Sequence, residues 1–398
     1  MTETTSRAPL AQRALSQRVR AVPPSGIRRF FDIVATMENV ISLGVGEPDF
    51  DTPRMVVEAG VESLRERRTH YTSNYGTLEL RRALSAHLER LYGVHYAPEN
   101  EILITVGASE AVDLALRATC DPGDEVILHE PSYVAYEPAI VFAGGTPVRV
   151  ATRFEDDFAL DPAAVEAAVT PRTKALFLGY PANPTGAVLD DDVQDELARI
   201  AAEHDLLVYS DEIYDRLAYG TYRHRAFSSL PGMRERTILM GGFSKAYAMT
   251  GWRVGWLCAP AHILEGAVKV HQYGIMSAPT IAQDAALVAL VDGEHAVAEM
   301  VAEYDRRRRL LVDGFNRLGL PTFEPRGAFY AFPKIASTGM TSDEFTEALI
   351  QEEAVAVVPG SAFGPSGEGH VRACYATSYE KLEEALERIG RFVERHRY

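Results

Sequence analysis

Cysteine is scarce in this chain of 398 residues. Only Cys120, Cys258 and Cys374 occur, with no C-x-x-C pair and no histidine–cysteine cluster of ligand spacing, which excludes a disulfide framework and a structural metal site and leaves free buried thiols as the expectation. Positive charge is in deficit as well: 40 Lys and Arg face 56 Asp and Glu, a formal net charge of −16. Nucleic acid and anionic membrane both need a basic footprint, so neither is expected as a partner, and small anions must rely on local arginines. Long apolar runs are missing too. The first forty residues alternate arginines with short apolar groups and contain no stretch of roughly 7–15 apolar residues, so neither a secretory signal nor a membrane span is expected. A reducing cytoplasm fits these absences. No repeat or low-complexity segment occurs, and the run Arg306–Arg309 reads as a solvated helix face.

What is present is a globular composition, 46% hydrophobic and 24% charged, at a length that exceeds one core and predicts two lobes. In the middle of the chain short β-type runs alternate with helical stretches. Glu101–Val106 precedes a helix over Ser109–Thr119, Glu125–Glu130 precedes a turn at Pro131, and Lys174–Tyr180 precedes a Pro/Asn/Gly turn and a helix over Asp191–His204; Leu206–Ser210 and Thr237–Met240 follow. This pattern predicts an α/β fold with a largely parallel sheet between helices, functional residues lying in loops at the strand ends. The ends differ. Residues 1–48 read as an irregular arm, and the last hundred alternate long charged helices (Val297–Leu318, Lys381–Arg395) with strands such as Gly327–Phe332 and His370–Tyr375. The expected division is a large lobe over 49–285 and a smaller α+β lobe from 1–48 and 286–398.

The chemistry-bearing motifs all fall at strand ends. In Gly241-Gly-Phe-Ser-Lys-Ala-Tyr-Ala-Met-Thr-Gly-Trp-Arg, Lys245 is set among small residues after an apolar run. A desolvated lysine is an amine nucleophile that forms a Schiff base with an aldehyde cofactor, and Ser244 and Arg253 are placed to bind that cofactor's phosphate. Val106-Gly-Ala-Ser-Glu-Ala closes a strand and opens a helix, so the N–H groups of Ala108 and Ser109 form an anion seat. Tyr133 follows another strand, where its ring can stack on a heteroaromatic ligand. Asn183, before Pro184, holds an amide outward that can donate to a phenolate oxygen. Asp211 stands at a buried strand end with Tyr214 three residues on; a protonated ring nitrogen would give that carboxylate a partner. Arg372, within a β run, suits bidentate capture of a carboxylate, and Gly46 lets a backbone N–H approach the same ligand. Taken singly, each also reads as ordinary structure: a cap at Ser109, a core tyrosine, an Asx turn, an acidic helix cap, a surface strand arginine.

Together and in this order the motifs resemble the fold type I pyridoxal-phosphate aminotransferases of the class I/II family, over roughly residues 15–395. Within it, Ser25-Gly-Ile-Arg-Arg-Phe, Gly46-Glu-Pro-Asp-Phe-Asp-Thr-Pro, Ala248-Met-Thr-Gly-Trp-Arg, Pro359-Gly-Ser-Ala-Phe-Gly and Tyr375-Ala-Thr-Ser-Tyr-Glu-Lys-Leu-Glu-Glu-Ala resemble the archaeal-type aspartate/aromatic enzymes. The resemblance implies a seven-stranded, mostly parallel sheet in the large domain and pyridoxal 5′-phosphate as cofactor. It makes Lys245 the Schiff-base lysine, Asp211 the partner of the pyridine nitrogen, and Asn183 and Tyr214 the ligands of the phenolic oxygen. Ala108, Ser109, Ser244 and Arg253 would hold the phosphate, Tyr133 would stack on the ring, and Arg372 with Gly46 and Asn183 would take the substrate α-carboxylate. Tyr71 matches a tyrosine that reaches the phosphate from the partner subunit, which implies a homodimer with shared active sites. The implied reaction moves the amino group of an L-amino acid, aromatic or broad in range, to 2-oxoglutarate by a ping-pong route. Some bacterial aspartate-preferring relatives carry a lysine where this chain has Ser109; aspartate, alanine and N-acetyl-diaminopimelate-type donors stay open. A lyase or decarboxylase on the same scaffold is the alternative of another class, because reaction type depends on which α-carbon bond stands perpendicular to the ring. A non-catalytic regulator would need a DNA-binding module that this acidic chain lacks.

Overall fold

The computed structural model describes residues 14–24, 37 and 39–398; the Ser25-Gly-Ile-Arg-Arg-Phe motif lies outside these. Twelve strands occur among the described residues: β1 Ile41–Ser42, β2 Ile102–Thr105, β3 Glu125–Glu130, β4 Thr146–Ala151, β5 Thr173–Gly179, β6 Leu207–Asp211, β7 Thr237–Gly242, β8 Gly255–Cys258, β9 Tyr330–Ala331, β10 Val355–Ala356, β11 Val358–Pro359 and β12 Val371–Cys374. Seven of them form one sheet in the order β2-β8-β7-β6-β5-β3-β4. Only β8 runs against the rest, pairing antiparallel with β2 and β7; the other pairings are parallel.

Burial explains the strand sequences. β3 is buried at every residue, as expected where helices cover both faces; its apolar centre of Val126, Ile127 and Leu128 is flanked by the buried polar residues Glu125, His129 and Glu130. Successive residues go to opposite faces. Val126, Leu128, Ala175, Phe177 and Tyr209 pack with the helices Ala108–Thr119 and Ala261–Gly274, whereas Ile127, Leu176, Leu178 and Val208 pack with the helix Asp191–Glu203. β4, the edge strand, is exposed at half its residues and carries Pro147, which removes a donor from an edge otherwise open to a further strand.

The small sheets lie beside this one. β1 pairs in parallel with β10, so the N-terminal arm is not wholly irregular: it gives a strand to the C-terminal part, and Gln17–Ala21 is a short helix capped by Ser16. β12 lies between β11 and β9. The strand expected over Gly327–Phe332 shrinks to Tyr330–Ala331, because Gly327 donates to the carbonyl of Gly186 and makes only an isolated bridge with Ala218, and Ala328 takes φ 56°. The long helices expected there form as Glu294–Arg317 and Tyr379–His396. One core cluster joins Leu80 and Leu84 to Leu349, Val371 and Phe392, so the terminal segments are packed on the central part.

Because β2, β3, β5, β6 and β7 share a direction, Ala108, Tyr133, Asn183, Asp211 and Lys245 all lie along the same edge of the sheet. Arg253 precedes β8, whose reversed direction brings it to that edge as well. Among the described residues no helix is long and apolar enough to cross a membrane, no group of His, Cys, Asp and Glu can hold a metal, and the three cysteines are free and buried.

Candidate active site

Eleven of the twelve expected site residues line one cavity of 820 Å³ along this edge. They are Gly46, Ala108, Ser109, Tyr133, Asn183, Asp211, Tyr214, Ser244, Lys245, Arg253 and Arg372. The twelfth, Tyr71, is 81% exposed and is not among the lining residues.

Lys245 keeps part of its surface open to the cavity, and its Nζ donates to the carbonyl of Gly46 at 2.6 Å. Loss of water lowers its pKa to about 8, with the charges of Arg372 and Arg253 acting in the same direction. An amine so placed is unprotonated more often than a surface lysine, hence more nucleophilic near neutral pH.

Asp211 is the last residue of β6 rather than a helix cap, and it is buried. Its Oδ2 accepts from the Tyr136 hydroxyl at 2.8 Å and its Oδ1 from the Ile213 N–H at 3.2 Å. Burial pushes its pKa up to about 6 against the pull of these two hydrogen bonds. Tyr214, also buried, shares a 2.7 Å hydrogen bond with the hydroxyl of Tyr330, and burial raises its pKa well above the ordinary value. Tyr133, 36% exposed, presents its ring edge-on to Tyr136 with centroids 5.4 Å apart.

The anion seat is built by small residues. The helix begins at Ala108, one residue earlier than expected, and Gly107 rather than Ser109 occupies the N-cap with φ 77°. A Cβ on Gly107 would stand 2.7 Å from Nη2 of Arg253, and one on Gly255 would stand 2.6 Å from the carbonyl carbon of Gly107 and 2.7 Å from the Ala108 nitrogen. The turn is fixed from behind, where Glu110 accepts from the Val106 N–H at 2.5 Å and lies 2.7 Å from the fully buried His271. Bare N–H groups at a helix start, two serines and a guanidinium suit a phosphate.

Arg372 is not a surface strand arginine. It is 4% exposed, donates to Asn183 Oδ1 at 2.9 Å and to the carbonyl of Gly44 at 2.6 Å, and stacks over Tyr330 and Phe363 at 4.6 and 4.9 Å. Both partners are neutral, and its Nε is buried without one. A buried guanidinium so arranged could pair with an incoming carboxylate.

Residues 38–389 match the family described as aminotransferase class I and II. The chain belongs to this family. Among its relatives are an aspartate aminotransferase of Pyrococcus abyssi, 48% identical over 96% of this chain and 98% of the relative, and aromatic-amino-acid aminotransferase 2 of Thermococcus litoralis, 47% identical over 96% and 98%. The crystal structure of an aromatic aminotransferase from Pyrococcus horikoshii superposes with a TM-score of 0.89 at 47% identity, covering 93% of this chain and 99% of that one. The fold is that of the fold type I aminotransferases, as the sequence motifs implied.

Three features of this aminotransferase escaped the sequence reading. Tyr136 holds Asp211, Tyr330 holds Tyr214, and the carbonyls of Gly44 and Gly46 hold Arg372 and Lys245. Gly46 therefore offers its carbonyl where only its N–H had been expected, and its missing Cβ leaves room for the Tyr330 hydroxyl, which would stand 2.5 Å from that atom. A second tyrosine three residues after Tyr133 was the signal for Tyr136. For Tyr330 the signal was an aromatic pair, Phe329-Tyr330, beside Gly327.

Proposed function

We propose that this aminotransferase uses pyridoxal 5′-phosphate to move the amino group of an L-amino acid to 2-oxoglutarate in ping-pong fashion, with an aromatic or broad-range donor. The observation that carries the reading is the juxtaposition, in one cavity, of a desolvated amine at Lys245, a buried carboxylate without an ion partner at Asp211, and an anion seat whose walls leave no room for a Cβ on Gly107 or Gly255. The residues fit the cofactor's three demands: a phosphate, an aldehyde and a ring nitrogen that takes a proton. Ala108, Ser109, Ser244 and Arg253 would hold the phosphate, Tyr133 would cover the ring, and Asn183 and Tyr214 would bind the phenolic oxygen. When bound, the cofactor supplies an electron sink for the bond broken at the substrate α-carbon.

This chain's own residues do the rest. Lys245 Nζ would take the α-proton from the substrate and deliver it to the cofactor carbon that carried the aldehyde, a role for which a pKa near 8 is suited. Asp211, held ionised, keeps a facing ring nitrogen protonated. Arg372 fixes the α-carboxylate and thereby decides which α-carbon bond stands perpendicular to the ring. The rings of Tyr133, Tyr136 and Tyr330 give the donor side chain flat apolar walls. Lys245, Arg253 and Arg372 are the cations among the described lining residues, and all three have roles, so the distal carboxylate of 2-oxoglutarate or aspartate needs a cation from elsewhere. The proposed homodimer supplies a source, and Tyr71, exposed in one protomer, would reach the partner's phosphate seat. The large lobe over 49–285, the small lobe from 1–48 and 286–398, and a cytoplasmic location belong to the same reading. A donor screen with 2-oxoglutarate across tyrosine, phenylalanine, aspartate, alanine and kynurenine tests it. Glutamate formation with the aromatic donors supports it; release of ammonia, pyruvate or carbon dioxide without amino transfer would establish the lyase instead.

A further inference from the structure

Asp211 has no ion pair among the described residues, and Tyr136 is the one side chain that hydrogen-bonds to it. That tyrosine lies 75 positions earlier, at the start of the helix Tyr136–Ala143. The site is shaped around it. Its ring is 5% exposed, lies 4.3 Å from Phe177 and meets Tyr133 edge-on. Gly179, the direct partner of Asp211 across the β5–β6 ladder, has no Cβ where one would stand 2.6 Å from the Tyr136 oxygen and 2.7 Å from its Cε2. Any larger residue at 179 would push the hydroxyl off the carboxylate.

We propose that Tyr136 is a positioning residue of this site: its hydroxyl orients the Asp211 carboxylate and holds it ionised, and so sets the pH below which the pocket stops accepting a protonated pyridine ring. The proposal rests on the reading of Asp211 as the partner of the cofactor's ring nitrogen. The other charged or titratable groups that act on Asp211 are Glu212 beside it in the chain, Lys245 after β7 and Tyr133 after β3. Burial and Glu212 favour the neutral acid, while Tyr136, the Ile213 N–H and Lys245 favour the carboxylate. A hydrogen bond donated to an ionised group favours that form, so its loss moves the protonation of Asp211 to higher pH. A protonated Asp211 is neutral and cannot pair with a cationic ring.

The test is the affinity of the cofactor-free protein for pyridoxal 5′-phosphate, measured from about pH 5.5 to about 8.5, in the wild type, Tyr136→Phe and Gly179→Ala. In the wild type, binding weakens as pH falls below about 6. In Tyr136→Phe the break moves up by about one unit, with affinity above pH 8 nearly unchanged, and kcat falls while the donor KM stays close to wild type. Gly179→Ala, which keeps the phenol but displaces it, moves the break the same way. Superimposable pH profiles in either variant, with its melting transition intact, overturn the proposal. If the wild type itself fails to bind the cofactor, the proposed function fails, and with it the premise for Tyr136; a wild type that binds beside unshifted variants removes only the role of Tyr136.

Discussion

The charges on the outside of the molecule and those in the cavity are arranged in opposite ways. At the periphery they neutralise each other: Arg199 contacts Glu166, Glu196 and Glu203, and Arg395 with His396 contacts Glu352 and Glu353. In the cavity Asp211, Lys245 and Arg372 are bound by a phenol, a backbone N–H, carbonyls and an amide, all neutral. Isolated charges under burial destabilise a fold. Their persistence in one place marks where binding of a ligand, rather than stability, accounts for the residue choice.

Substitutions on the two sides should therefore separate cleanly. The largest effect is expected at Lys245, where Lys245→Ala should lower turnover by more than about 10³-fold while the melting temperature holds or rises; stopped-flow turnover and a thermal scan check both. Arg372→Leu comes next, with a loss of about 10²-fold or more in kcat/KM, read from initial rates with saturating acceptor. Asp211→Asn should slow α-proton exchange and yet stabilise the cofactor-free protein by about 1–3 kcal/mol near pH 8.

The sign of that last gain follows from protonation. The folded pKa of Asp211, about 6, lies above its ordinary value of 3.8. The carboxylate therefore destabilises the fold fully above pH 6 and progressively less as pH falls toward 4, so the advantage of Asn over Asp should shrink over that window in urea titrations. For Lys245 the rate of pyridoxal 5′-phosphate capture should climb with pH through about 8 and level off above it. The smallest effect is expected outside the cavity: Arg199→Gln should leave both turnover and melting near wild type, since exposed ion pairs contribute little. A large loss of activity there would break the contrast.

The sequence displayed the site better than its supports. Strand ends were legible because apolar runs stop at Pro131, Pro181 and Asp211, and the parallel sheet turns those stops into one edge. Lys245, Asp211 and Arg372 were picked out by the motifs taken together and in order, since each alone also reads as ordinary structure, and they do line one cavity. Tyr136 and Tyr330 were not, because each acts on a residue 75 or 116 positions away and looks locally like core. The Gly327–Phe332 run kept its β-type composition while its backbone was taken by Gly186 and a left-handed Ala328, which no local pattern announces. Tyr71 is exposed in the described chain, and the role proposed for it needs a second copy of the chain.

Lys245 is tested most directly by where an aldehyde reacts. The chain has five lysines, Lys174, Lys245, Lys269, Lys334 and Lys381, so borohydride reduction of the native protein with pyridoxal 5′-phosphate, followed by peptide mass mapping, gives an unambiguous answer. The reduced cofactor mass should be found on Lys245 at near one equivalent per chain. Its absence there, or labelling spread over the other four, would contradict the account.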